Sequence, residues 1–197
     1  MDEKGLCNLI YELGALKKLP HSGPKLHGVR HPDSIAEHIY RTAIIGYILA
    51  IKEKVPPERV VLMCLVHDNA ESRISDLHKV ARRYIDPRKA EKKAFKEQLK
   101  NCPKTVKETF EKLFEEFEDQ KSRISIIARD ADLLETIFQS KEYVDIGYKA
   151  CQDIVDNAGK YLLTSSAKKL AKTAQKIKFT DWFSGLKKLP KDFKKKP

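Results

Sequence analysis

Apolar residues recur at spacings of three and four along almost the whole of this 197-residue chain, and no stretch alternates apolar with polar over the length of a strand. Such spacing puts the apolar positions on one face of a 3.6-residue helical repeat, so it predicts an all-α fold of helices packed on helices. With 41% hydrophobic residues, the chain suits one domain around a single core. The first helix reads "CNLIYELGALKKL", with Leu9, Ile10, Leu13, Leu16 and Leu19 on one stripe, and gives way to a loop, "PHSGPKLHGVRHPD", that holds His21, His27 and His31 with Lys25 and Arg30. At "DSIAEHIYRTAIIGYILAIKEKV", Ser34 and Glu37 have capping-box spacing and open a second helix. Pro57 starts a third, which is expected to run through "ERVVLMCLVHDNAE". "SRISDLHKVARRYIDPR" reads as irregular connection, followed by charged amphipathic helices around "KAEKKAFKEQLK" and "KTVKETFEKLFEEFEDQ". A helix apolar on most faces, "SRISIIARDADLLETIFQSKEYVDIGYKA", is expected at the centre of the fold. Thr164 or Ser165 then caps a last helix with Leu170, Ala171, Ala174 and Ile177 inside, and Trp182, Phe183 and Phe193 are candidates to dock near the end.

Charge and cysteines narrow the setting. From residue 160 onward there are 12 Lys, no Arg and 2 Asp, so ten of the eleven net positive charges sit there. A lysine face without interleaved aromatics is more often solvated surface than recognition surface, which makes nucleic acid an unlikely partner. Cys7, Cys64, Cys102 and Cys151 have no short spacing and read as reduced thiols. The N-terminus opens with acids, and no apolar run approaches the roughly 20 residues that span a bilayer, so the expectation is a cytoplasmic protein with no membrane contact.

The apolar run "VVLMCLV" ends at once in His67 and Asp68, with Glu71 three residues on. Buried charge is costly unless paired, hydrogen-bonded or bound to metal. Two other buried-looking helices carry His38 and Asp132, and two imidazoles with two carboxylates make a credible divalent-metal set. Each also has an ordinary explanation. His38 can be a satisfied core histidine, His67 with Asp68 can cap a helix end, and Asp132 can pair with Arg129 or Lys141.

Taken together, in the order His, then His-Asp, then Asp, these residues resemble the HD-domain superfamily of metal-dependent phosphohydrolases. "HPDSIAEHIYR", "LVHDNAESRISD" and "DADLLETIFQSKEY" are similar to the corresponding helices of its 5′-deoxynucleotidase branch, and "DNAGK" has a counterpart there. The resemblance runs from about residue 10 to 175. It implies an HD-domain helical bundle over residues 1–177, with its core at about 34–140 and the metal site between central helices, and a basic tail at 178–197. The implied metal ligands are His38, His67, Asp68 and Asp132. Four protein ligands would fill a tetrahedral zinc site, whereas a six-coordinate ion leaves two positions open. One Mn, Co, Fe or Ni ion per chain is therefore expected ahead of Mg or Zn.

On a continuing helix Glu71 would share a face with His67, which suits a carboxylate that takes a proton from the attacking water. Its alternative is a surface pair with Arg73 or Lys79. Asp76 matches a family acid that assists at the leaving oxygen or the sugar, and can equally make an Asx-turn. Lys25, His27, Arg30 and Arg41 are the candidate phosphate cations, although Arg41 is also spaced to fasten Glu37 and His38. The reaction implied is hydrolysis of a deoxynucleoside 5′-monophosphate. The alternatives are a non-catalytic module that binds nucleotide or nucleic acid, or hydrolysis of another phosphorylated nucleotide. Where branch members often carry Trp, this chain has Pro24 after Gly23, so preference for deoxyribose over ribose is not assured. Aromatic residues around Phe95, Leu99, Phe110, Leu113, Phe114 and Phe117 exceed what a peripheral hairpin requires, and with the habit of the branch they point to a homodimer.

Overall fold

Capping residues set where the long helices begin. In the computed structural model, which describes residues 3–186, α1 (Glu3–Leu13) runs into a 3₁₀ turn at Gly14–Lys17 and is followed by a short α2 (Ser22–Leu26). The Ser34 hydroxyl accepts from the Glu37 backbone N–H, while the Glu37 carboxylate accepts from the Ser34 N–H. This closed capping box opens α3 (Ile35–Glu53). Pro57 occupies the first turn of α4 (Pro57–Val66), where its missing N–H costs nothing. Two short helices follow, α5 (Glu71–Ile74) and α6 (Lys79–Arg82), then α7 (Pro87–Gln98) and α8 (Lys104–Asp119). Ser122 caps α9 (Arg123–Asp145), and α10 (Gln152–Gly159) and α11 (Ser165–Ala174), the latter capped by Thr164, complete the bundle. The described residues form no strand; their one β-bridge pairs Pro20 with Ser34. The fold is all-α, as expected.

α9 lies at the centre and packs against α3, α4, α8, α10 and α11. Ile127, Ala128, Ala131, Leu134 and Ile137 are fully enclosed there, and the acids on this helix have partners. Asp130, for example, accepts from the backbone N–H groups of Leu163 and Thr164 at 2.9 and 2.7 Å, which fixes the start of α11. α3 and α4 approach closely because residue 46 is glycine. A Cβ at Gly46 would lie 2.8 Å from Cys64 Sγ and 3.2 Å from Val60 Cγ1.

Several details differ from the sequence reading. α4 stops at Val66, and residues 67–70 form a turn before α5. The segment read as irregular holds α6, because His78 Nδ1 accepts from the Ala81 N–H and caps one helical turn. The loop after α1 contains α2. Ile10 is 68% exposed and off the inner stripe, and Ile177 lies beyond the end of α11, 47% exposed. Trp182 does not dock: it is 76% exposed, with its ring edge-on to Phe183. Phe193 and the tail from residue 187 lie outside the described residues. Phe95, Leu99, Leu113, Phe114 and Phe117 are buried within this chain's own core, Phe95 and Phe114 stacked at 4.3 Å. They are not surplus surface.

Candidate metal centre and hydrolytic site

His38 projects from the first turn of α3, His67 and Asp68 from the turn that ends α4, and Asp132 from the middle of α9. The packing of these three helices brings the four side chains together. One ligand atom each of His38, His67 and Asp132 lies within 4.8 Å of the others. Asp68 Oδ2 is 3.0 Å from His67 Nε2 and 3.6 Å from His38 Nε2, and Asp132 Oδ1 is 3.3 Å from His38 Nε2. Both imidazoles are buried.

Hydrogen bonds on the far side of each ring decide what faces inward. His67 Nδ1 donates to the Cys64 carbonyl at 2.7 Å, and His38 Nδ1 donates to Glu135 Oε2 at 2.5 Å. In its neutral form each ring directs the lone pair of Nε2 at the two aspartates, with the Thr42 hydroxyl 3.4 Å from His38 Nε2. His67 Nε2 is buried with no hydrogen-bond partner. Lone pairs converging on carboxylates repel unless a cation lies between them, so these residues fit a divalent ion. The same need governs protonation. Burial opposes charge on His38, but Glu135 and Asp132 overcome it and hold the imidazole well above its usual range. Burial would raise Asp132, yet Arg129 first, then His38 and His67, hold its carboxyl far below the ordinary value.

Around this cluster stand groups suited to proton transfer. Glu71 is buried, and its Oε2 has no hydrogen-bond partner. Burial, with the charges of Asp68 and Asp76, pushes its carboxyl well above the usual range. Arg73 is not its partner, being engaged by Glu12 and Glu97. Asp76 Oδ2 accepts from both the backbone N–H and the hydroxyl of Ser22, at 2.7 and 2.9 Å, and so joins its loop to α2. Ser75, just before it, has φ 63° and ψ 165°, a strained conformation for a residue with a Cβ, which re-aims the chain at this point.

The structure joins to the cluster Glu135, which the sequence did not single out, and places Arg41, His21, Phe117 and Arg129 around it. Glu135 holds His38 from behind while accepting from Arg41 Nε at 2.9 Å. Arg41 is further bonded to Glu142 and Gln139 at 2.7 Å each, so its connection to the cluster runs through Glu135. The His21 ring packs 4.5 Å from that of His38, with Nδ1 3.1 Å from Asp33 Oδ2. Burial and His38 oppose a charge on His21, and Asp33 raises its pKa despite them. Phe117 packs 5.0 Å from the His67 ring, and Arg129 Nη1 donates to Asp132 Oδ2 at 2.7 Å, whereas Lys141 pairs with Asp145. Of the loop cations, His27 bonds to the Gly23 carbonyl and lies 3.6 Å from Asp153. Lys25 and Arg30 are exposed and make no hydrogen bond or ion pair with the cluster among the described residues.

Comparison with known proteins agrees with this geometry. A family model described as "HD domain" matches residues 13–178. The chain is 31% identical over 170 residues to the 5′-deoxynucleotidase HDDC2 of Bos taurus, covering 82% of each chain. It is 28% identical over 162 residues to the Homo sapiens protein of the same name, covering 80% of this chain and 79% of that one. Among solved structures, a conserved hypothetical protein from Pyrococcus furiosus superimposes with a TM-score of 0.71 at 29% identity, over 87% of this chain and 99% of the other.

Proposed function

This chain belongs to the HD-domain family, and from that membership we propose that it is a metal-dependent phosphomonoesterase that hydrolyses (deoxy)nucleoside 5′-monophosphates to nucleoside and phosphate. The observation that carries the reading is the convergence of two Nε2 atoms and two aspartates, with a buried Glu71 carboxylate, its Oε2 without a hydrogen-bond partner, that feels the charge of Asp68. In this proposal His38, His67, Asp68 and Asp132 hold one divalent ion, with Mn, Co, Fe or Ni preferred to Mg or Zn. When bound, such an ion supplies positive charge against the phosphoryl oxygens and lowers the pKa of water. Glu71 takes a proton from the attacking water, whose oxygen forms a bond to phosphorus as the bond from phosphorus to O5′ breaks. The departing O5′ takes up the proton that Glu71 accepted, and Asp76, tethered to Ser22, stands at the leaving oxygen or the sugar. Glu135 keeps the His38 ring in the orientation that presents Nε2 inward, and Arg41 fixes Glu135.

We also infer a cytoplasmic homodimer. Cys7, Cys64, Cys102 and Cys151, scattered with no short spacing between them, suit a reducing compartment. The dimer reading rests on α3, whose outward face carries Tyr40, Ile44, Tyr47, Ile48 and Ile51, each at least 45% exposed.

The test is phosphate release from a panel of dNMPs and NMPs by protein loaded with Co²⁺ or Mn²⁺. Turnover of 5′-monophosphates is expected, and Asp68→Ala is expected to lose both turnover and retained metal. Undiminished turnover by that variant refutes the reading.

A further inference from the structure

Glu71 is buried, yet its Oε2 has no hydrogen-bond partner, so the place of its carboxylate depends on the backbone that carries it. That backbone is a poor support by itself. α4 has ended at Val66, residues 67–70 form a turn, and α5 spans four residues, too few for a helix to keep its own shape in water. The turn's internal bonds run from the Asn69 N–H to the Val66 carbonyl at 3.1 Å and from the Glu71 N–H to the Asp68 carbonyl at 3.0 Å. They shape the turn without fastening it to the rest of the bundle.

We propose that Gln98 and Glu12 are positioning residues that set where Asp68 and Glu71 stand, an assignment that rests on the phosphomonoesterase reading above. Gln98 ends α7 and is buried. Its Nε2 lies 2.9 Å from the Asn69 carbonyl, 2.6 Å from Ser72 Oγ and 2.9 Å from Glu12 Oε1. A carbonyl and a carboxylate can only accept, so the amide nitrogen must be the end that faces them. The Ser72 hydroxyl donates to the same Asn69 carbonyl at 2.9 Å, which leaves its oxygen to accept from Gln98. Asn69 directly follows Asp68 and Ser72 directly follows Glu71, so this one amide grips the chain beside both acids.

Glu12, on α1, closes the grip from the other side. Its Oε1 accepts from Arg73 Nε at 2.5 Å and its Oε2 from Arg73 Nη2 at 2.9 Å, a two-pronged bond to the residue two places after Glu71. The turn and α5 are thereby tied to α1 and α7 at residues 69, 72 and 73. Packing alone does not call for an amide at position 98, because Ala94, Phe95 and Leu99 already supply the buried apolar surface of α7 and the segment after it. What the amide adds is direction. If the turn shifts, the proposed ligand and the proposed base move together, and a displacement of about 1 Å can cost on the order of 100-fold in rate.

Gln98→Met keeps a side chain of similar length and removes the donor, while Glu12→Gln, at a half-buried position, removes the charge that holds Arg73. Full-length wild type, both single variants and the double variant are compared below their melting temperatures. Metal affinity is read by competition of Co²⁺ with a chelating dye, and kcat and KM with dAMP are measured at saturating Co²⁺. For Gln98→Met, metal affinity and kcat should each fall about 10- to 100-fold, with KM little changed. Glu12→Gln should shift both in the same direction by less. The double variant should lose less than the product of the single losses, because both residues act through one turn. Variants that melt lower yet keep wild-type metal affinity and kcat would overturn the proposal, as would losses that simply multiply. A wild type that binds Co²⁺ and hydrolyses no nucleotide, with Gln98→Met binding the ion more weakly, would leave the positioning of Asp68 standing and refute the phosphomonoesterase reading instead.

Discussion

At the scale of single residues, the proposed metal site depends on groups that touch its proposed ligands from behind. His38 and His67 are useful because Glu135 and the Cys64 carbonyl fix which nitrogen faces inward. His38, His67, Asp68 and Asp132 stand out in the sequence because imidazole and carboxylate are out of place on apolar helices, and because their order resembles a known family. Glu135 does not stand out. It lies 97 positions from the histidine it holds and looks like one acid among several on α9. His21 was one of three histidines in a loop, and only folding brings its ring onto His38. Glu71 yields a prediction about pH. Burial and its anionic neighbours Asp68 and Asp76 raise its carboxyl, so activity that needs the ionised form should rise with pH along a limb above the usual carboxylate range. Replacing Asp76 by Asn removes one negative neighbour and favours ionised Glu71. The acid limb of kcat/KM should then shift to lower pH, whatever happens to its height. A limb that stays put would separate Asp76 from Glu71.

Among the elements, those with local signals were legible. Ser34, Pro57 and Thr164 begin helices where the sequence places them, since a cap needs only neighbours a few residues away. The break after Val66 carried no Gly or Pro to announce it. Adjacent residues on a helix point about 100° apart, and the turn at 67–70 lets His67 and Asp68 converge on one point. α6 was hidden because one polar turn is too short to show a period. Just beneath the site, Gly46 sets the spacing of α3 and α4, and its replacement by Ala would drive a methyl into Cys64 Sγ and Val60. Gly46→Ala is expected to cost about 1–3 kcal/mol, read as a lower midpoint in denaturant. An unchanged midpoint would mean that α3 and α4 can separate freely.

For the molecule as a whole, the all-α architecture follows from periodicity alone, but the surface offered to a partner does not. The aromatic residues of α7 and α8 looked like an interface in the sequence and instead fill the core, because the two helices fold back onto the bundle. α3 has the opposite character. It is apolar around most of its circumference, and Ile44 and Ile48 lie at adjacent turns of its exposed side. In the proposed homodimer a second copy would cover this face. Ile44→Asp with Ile48→Asp should then yield a monomer by light scattering, with the helical circular dichroism intact. A wild-type protein already monomeric at micromolar concentration would contradict the dimer.

The proposed ligands have a consequence for endurance as well as chemistry. They come from α3, α9 and the turn after α4, and His38 and Asp132 lie at opposite ends of most of the bundle's sequence. An ion held by all four is a rivet through the middle of the fold, one that the surrounding solution can withdraw. A ligand at 100 to 1,000 times its Kd adds about 3–4 kcal/mol to the folded state, so chelation should lower the melting temperature by several degrees, and re-addition of metal should restore it. A chelator that leaves the melting curve in place would mean the helices stay fastened without the ion. Otherwise, scarcity of the ion shortens the lifetime of the folded chain at the same time as it halts turnover.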